Sequence, residues 1–317
     1  MKKVFRIILI LLGLLVLLLI GAVSYIHFSG IPHYPTTLPK ELVEKRVSLD
    51  SASIARGEKI ASMLCVQCHM GTDNRLVGKL IPDMPVEFGK VSSYNITQDK
   101  EKGIGNWSDG ELIYFLKTGI RTQDGSFAPP YMPKYCRMAD QDIESIVAWL
   151  RSNNRNVQPS KEEQPANQPN LLVKFLCRTM IKPLPYQSGI PFPDTMNAVA
   201  YGKYLANDVY GCFGCHSADF KTVNDLEPEK SPGYYGGGNP LINMEGQVVP
   251  SQNITPDPES GIGKLTEEEF ARLLTSGIRP DKTTFRYPMI PHANLNEREV
   301  KAIFAFLKTV PPIKNAY

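Results

Sequence analysis

Two short strings hold residues able to do chemistry together: Cys65-Val-Gln-Cys68-His69 and Cys212-Phe-Gly-Cys215-His216. Each offers two thiols with two residues between them and an imidazole directly after. That spacing lets both sulfurs reach the vinyl groups of one porphyrin while the adjacent histidine sits beneath the iron, the pattern of covalent c-type haem attachment. The sequence therefore predicts two covalently attached haem c groups, one through Cys65 and Cys68 and one through Cys212 and Cys215, with His69 and His216 as proximal ligands. Zinc fits poorly. Paired C-x-x-C motifs that share a zinc ion lie within about 15–20 residues of each other, and here most of a domain intervenes. A redox dithiol would need a βαβ setting, whereas the surroundings read as helices and loops.

Positioning these groups falls to a domain that the chain writes twice. Asn95-Ile96-Thr97 recurs as Asn253-Ile254-Thr255, Gly103-Ile104-Gly105 as Gly261-Ile262-Gly263, and Gly119-Ile120-Arg121 as Gly277-Ile278-Arg279, all at one offset. After a single-residue slip the register continues through Met132 and Met289 to Ile146-Val147-Ala148-Trp149-Leu150 and Ile303-Phe304-Ala305-Phe306-Leu307. An opening helix is expected from Ser53 to about Cys65 and from Ala198 to about Tyr210, with Gly57 and Gly202 allowing another helix close. Ser108 with Glu111, and Thr266 with Glu269, read as capping boxes; the helices they start should stop at Gly119 and Gly277. Apolar stripes at Ile143, Ile146, Val147 and Leu150, then Val300, Ile303, Phe304 and Leu307, mark the closing helices. Asn296 and Glu299 cap the second of these, while Ala139 leaves the first less well capped, by about 1 kcal/mol.

The sixth iron ligand decides between electron transfer and chemistry on a bound ligand. Met132 in Pro129-Pro130-Tyr131-Met132-Pro133 and Met289 in Tyr287-Pro288-Met289-Ile290-Pro291 occupy the same point of the repeat, on backbone restricted by prolines. Both are expected to ligate iron. Met138 aligns with Leu295, a core position, and His292 aligns with Tyr135, so His292 reads as a surface or propionate contact. Met84 and Met244 share no register. With both irons saturated, no catalytic residue is assigned and the chain is not expected to be an enzyme by itself. The competing reading is a di-haem peroxidase-like enzyme with one open iron, against which the paired methionines argue. Asn95 and Asn253 each begin a sequon, but their repetition suggests that they line a haem edge near a propionate. Arg121 and Arg279 are either propionate partners or exposed cations. Cys136 and Cys177 remain as a disulfide or as two buried thiols.

From Ile7 to Ile26 no charge interrupts an apolar stretch of the roughly 20 residues that a membrane helix needs. Residues 1–28 read as an uncleaved anchor, with a signal peptide cut near Ala22-Val23-Ser24 as the alternative. Lys2, Lys3 and Arg6 precede the stretch, which keeps the N-terminus in the cytoplasm. The rest then stands on the periplasmic side of the cytoplasmic membrane as a single-pass protein. Those three cations account for the whole formal charge of +3, and nothing suggests nucleic acid. Residues 45–157 and 195–313 are read as the two haem domains and 158–194 as a linker. Within it, Leu171–Arg178 is either an amphipathic segment on the membrane surface or, preferably, a helix filling the groove between the domains.

The combination of C-x-x-C-H, Asn-Ile-Thr with Gly-Ile-Gly, a Ser/Thr-capped acidic helix, a proline-flanked methionine and an aromatic closing helix resembles the cytochrome c subunits of membrane-bound alcohol, gluconate and related dehydrogenases, in the class I cytochrome c superfamily. The resemblance covers about Ser53 to Pro312. It implies an all-α fold of two tandem class I cytochrome c domains after an N-terminal transmembrane helix. It also implies electron relay from the catalytic subunit of a partner dehydrogenase to a quinone or to an oxidase or cytochrome acceptor of the respiratory chain. Subunits of this kind commonly hold three haem domains, and this chain has two.

Overall fold

The computed structural model describes residues 2–81, 84, 88–128 and 132–315. Pro129, Pro130 and Tyr131, part of the proline frame expected around Met132, lie outside the described residues. Helix α1 (Lys2–Ser29) leads into α2 (Lys40–Val43), α3 (Ser51–Leu64), α4 (Val66–His69), α5 (Asp109–Thr118) and α6 (Asp140–Leu150), and α7 (Leu171–Thr179) lies in the connecting segment. The second half repeats the order with α8 (Ala198–Lys203), continued by a π-helical turn over Tyr204–Val209, then α9 (Cys212–His216), α10 (Glu267–Ser276) and α11 (Glu297–Leu307). The chain is mostly helical, with two short antiparallel ladders among the described residues that the all-α expectation did not include. One joins β1 (Gly89–Lys90) to β2 (Gln168–Pro169), and the other joins β3 (Pro240–Ile242) to β4 (Val248–Pro250) with Leu241 opposite Val249.

Each half is organised by the crossing of its opening and closing helices. At Gly57 an added Cβ would stand 1.8 Å from the Ser145 carbonyl oxygen on α6, and at Gly202 it would stand 1.8 Å from the Ala302 carbonyl oxygen on α11. No side chain fits between such backbones. Gly57→Ala or Gly202→Ala is expected to cost about 3 kcal/mol, the upper range for overpacking, seen as a lower denaturant midpoint at unchanged slope. The closing stripes are buried as their spacing requires, Ile143, Ile146, Val147 and Leu150 in α6 and Val300, Ile303 and Leu307 in α11, with Phe304 half-buried. Ser108/Glu111, Thr266/Glu269 and Asn296/Glu299 form reciprocal capping boxes, and Gly119 and Gly277 stop α5 and α10 at positive φ.

Ala139 makes no side-chain cap, yet the start of α6 is held from the other half. The Ala139 N–H donates to the Tyr204 hydroxyl at 3.2 Å, and that hydroxyl donates to Asp142 at 2.6 Å. Asp142, 0% exposed, also takes a two-pronged bond from Arg56 at 2.7 and 2.8 Å. Its repeat counterpart Glu299 pairs with Lys59 across the interface and accepts from Tyr201 at 3.4 Å. Four helices, α3, α6, α8 and α11, thus share one buried polar network between the halves. Breaking a buried pair strands its partner, so Asp142→Ala is expected to lose about 3–5 kcal/mol, measurable by the same denaturation.

Residues 158–170 run along the first half. The Asn95 amide donates to the carbonyls of Ser160 and Glu162, both at 2.7 Å, and β2 pairs with β1. Helix α7 then buries Val173 and Cys177 against Phe127, with Ile31, Tyr34 and Phe88 around them. These neighbours belong to the first half and the stretch after α1, so α7 does not fill the groove between halves that the sequence favoured. Cys136 and Cys177 are two buried, unbonded thiols.

Candidate functional site

Helix α3 ends at Leu64, and the chain re-enters a helix at Cys65, which is both the C-cap of α3 and the N-cap of α4. The N–H groups of Cys68 and His69 donate to the Cys65 carbonyl at 3.2 and 2.9 Å, so the three candidate residues share one turn. In the second half ten positions separate Gly202 from Cys212, against eight from Gly57 to Cys65. A π-helix takes an additional residue into a turn, and the Tyr204–Val209 turn with left-handed Gly211 absorbs the excess. Tyr234 and Tyr235 fix that turn by donating to Asn207 Oδ1 at 2.9 and 2.7 Å. The unequal spacing was the sequence signal for this feature.

His69 Nδ1 lies 2.7 Å from the Tyr94 carbonyl oxygen, and His216 Nδ1 lies 2.8 Å from that of Gln252. A carbonyl only accepts, so each Nδ1 carries the proton and each Nε2 presents a lone pair, the tautomer and orientation of a metal-ligating imidazole. Burial lowers both imidazoles below their ordinary value, keeping them neutral near pH 7. Burial also pushes the Cys65 and Cys212 thiols up to about 12, unlike the thiolates of a zinc site or a reactive dithiol. Among the described residues no group of three or more His, Cys, Asp or Glu is arranged to hold a metal ion.

Around these turns apolar side chains are only partly covered by protein. In the first half Leu64, Cys65, Val66, Ile96, Trp107 and Met132, and in the second Tyr210, Cys212, Ile254, Leu265, Leu274 and Phe304, are partly buried and packed against the core. Met132 is partly buried against the core that runs through both halves. Met289 is half-buried in a turn where its N–H donates to the Arg286 carbonyl at 3.0 Å. His292 stands edge-on to Tyr210 at 5.8 Å and is near enough to His216 to help lower it, after burial.

The two Asn-x-Thr triplets do a different job from the one expected. Asn95 and Asn253 are buried, and each Oδ1 accepts from the N–H and hydroxyl of the threonine two residues on, at 2.9 and 2.7 Å. Their amides reach across to later backbone, Asn95 to Ser160 and Glu162, Asn253 to Ile313 at 2.6 Å. With the amides committed to backbone carbonyls, they serve as clamps and not as propionate donors or glycosylation sites. Arg121 stacks over Tyr94 at 4.7 Å and Trp107 at 5.6 Å, which places a cation beside the loop that holds His69.

The donor set tests well against haem c: an imidazole with Nε2 presented, two thiols on the same turn, and a half-covered apolar wall. A model of the family described as Cytochrome c matches residues 54–154. Residues 54–154 belong to the cytochrome c family. This cytochrome c domain contains α3 to α6 and the first C-x-x-C-H. Over 278 residues the chain is 29% identical to the cytochrome c subunit of alcohol dehydrogenase (quinone) from Gluconacetobacter polyoxogenes, covering 83% of this chain and 57% of that protein. It is 24% identical to the gluconate 2-dehydrogenase cytochrome c subunit of Pantoea cypripedii, covering 82% and 60%. A diheme cytochrome c-type protein of Cereibacter sphaeroides is 28% identical, with 82% and 86% covered. The chain thus spans little more than half the length of the dehydrogenase subunits and most of the diheme protein.

Proposed function

We propose that the chain is a membrane-anchored di-haem c-type cytochrome that relays electrons from a partner dehydrogenase to a respiratory acceptor, and that it is not an enzyme by itself. The observation that carries this reading is the matched pair of histidines, each with Nδ1 tied to a backbone carbonyl and Nε2 presented beside a C-x-x-C turn. Haem c bound at such a site supplies a one-electron couple. Cys65 and Cys68 would attach the first, and His69 Nε2 and the Met132 thioether would ligate it. Cys212, Cys215, His216 and Met289 would do the same in the second half. The Tyr94 and Gln252 carbonyls hold the imidazole planes fixed, so little rearrangement accompanies a change of charge. The polar network across α3, α6, α8 and α11 keeps the two sites at a set separation.

Helix α1 supports the anchored reading by its length and composition, which a signal sequence shares. The names of the relatives point to a dehydrogenase as donor; the acceptor is read as a quinone or a terminal oxidase or cytochrome. The purified chain should show a c-type pyridine haemochrome and an intact mass carrying two haems and the residues of α1. Reduced protein should bind carbon monoxide slowly and incompletely. One haem, or rapid stoichiometric carbon monoxide binding, would overturn the relay reading in favour of a ligand-activating enzyme.

A further inference from the structure

We propose that α7 is a membrane-surface helix, seated on an anionic lipid bilayer beside the exit of α1, where it fixes how the first half stands above the membrane. The inference deepens the reading of α1 as a retained anchor and rests on it. From Ile7 to Ile26 a helix spans about 30 Å at 1.5 Å per residue, the thickness of the hydrocarbon core. Residues just beyond it stand at headgroup level.

Helix α7 is fastened at that level. Lys174 Nζ donates to the His27 carbonyl at 2.8 Å, and Arg178 donates to the Ser29 hydroxyl at 2.6 Å and the Gly30 carbonyl at 3.0 Å. The Arg178 guanidinium also lies 5.1 Å over the Tyr25 ring. One face of α7 is spent on the protein through Val173 and Cys177. The face turned away is apolar: Leu172 is 43% exposed and Phe175 44%, Leu171 is exposed beside them, and Met180 just past the helix is 70% exposed. From Asn170 to Lys182 the charges are Lys174, Arg178 and Lys182, with no acid.

An outward face of leucine and phenylalanine edged by cations is the pattern of a helix lying in the interfacial plane, where buried apolar area and attraction to anionic lipids add. A soluble docking partner would have to reach a face level with the bilayer and sharing its boundary with Phe28, itself exposed at the end of α1. The bilayer is the occupant already at that height.

The full haem-loaded chain would be placed in vesicles of phosphatidylcholine and phosphatidylglycerol, with a nitroxide attached at Phe175→Cys or Leu172→Cys and, for comparison, at Met244→Cys in the other half. Parent protein treated with the label sets the background from its buried thiols. Collisions with oxygen and with a water-soluble nickel chelate are then compared by electron paramagnetic resonance. At positions 172 and 175 the oxygen-to-nickel ratio should be several-fold higher than at 244, and higher with phosphatidylglycerol than without it. Nickel access equal to that at 244 overturns the inference. Shielding from both reagents also overturns it, because it means a protein covers α7. Intact mass of the same samples reports α1 separately: loss of its residues removes the anchored reading, whereas full mass with a wet label removes only the proposal for α7.

Discussion

Changing Cys65 and Cys68 together to serine is expected to leave a protein with one covalently bound haem instead of two. Serine cannot form the thioether, and His69 alone holds a porphyrin only reversibly. Retention in the other half should be unaffected at the site, because the Gln252 carbonyl that orients His216 belongs to that half. The reciprocal Cys212→Ser/Cys215→Ser variant should lose the other haem. The readouts are the ratio of pyridine haemochrome to chain and an intact mass lower by one haem. Two haems retained in either variant would remove that motif from the attachment sites. Yield should fall as well. Leu64, Val66, Ile96 and Trp107 rely on partial cover, and each large apolar side chain left in water forfeits about 1.5–3 kcal/mol relative to full burial.

Most of what positions these sites was legible because it is local. A C-x-x-C-H, a serine or threonine three residues before a glutamate, and a glycine where two helices must cross each need only neighbouring residues to be recognised. Ser108/Glu111, Thr266/Glu269 and the pair Gly57 and Gly202 stand where the spacing put them. What escaped is non-local. Asp142 finds Arg56 at 86 positions' separation, and Lys59 finds Glu299 at 240, so no spacing rule connects them. Register offered one clue: Asp142 and Glu299 are the N3 acids of equivalent helices, a repeated charge on faces that are otherwise apolar. Asn95 and Asn253 were misjudged for the same reason. Their loops looked available to a cofactor, whereas the amides are consumed by chain that returns after the closing helices. Helix α7 carried its amphipathic pattern openly, but the pattern does not say what lies beneath each face, and only the bonds to His27, Ser29 and Gly30 place it beside α1.

Met132→Ala and Met289→Ala should each lower the reduction potential of one haem and leave the other within a few tens of millivolts. A thioether favours reduced iron, which is why histidine–methionine ligation raises the potential. Losing it should shift the affected couple downward on the order of 0.1 V, a modest part of the roughly 0.8 V that axial ligation spans. In the first half the result should be simple, since Met138, the rival of Met132, is fully buried in the core. The vacated position should bind carbon monoxide. The second half carries a competitor, because His292 lies three residues beyond Met289 and close enough to His216 to act on its charge. If His292 takes the place of the lost thioether, Met289→Ala will show the lower potential without carbon monoxide binding, and Met289→Ala/His292→Ala will restore that binding. An unchanged redox titration in either single variant would exclude that methionine as a ligand. A shifted potential with new carbon monoxide binding in His292→Ala alone, and Met289→Ala silent, would hand the second iron to the histidine.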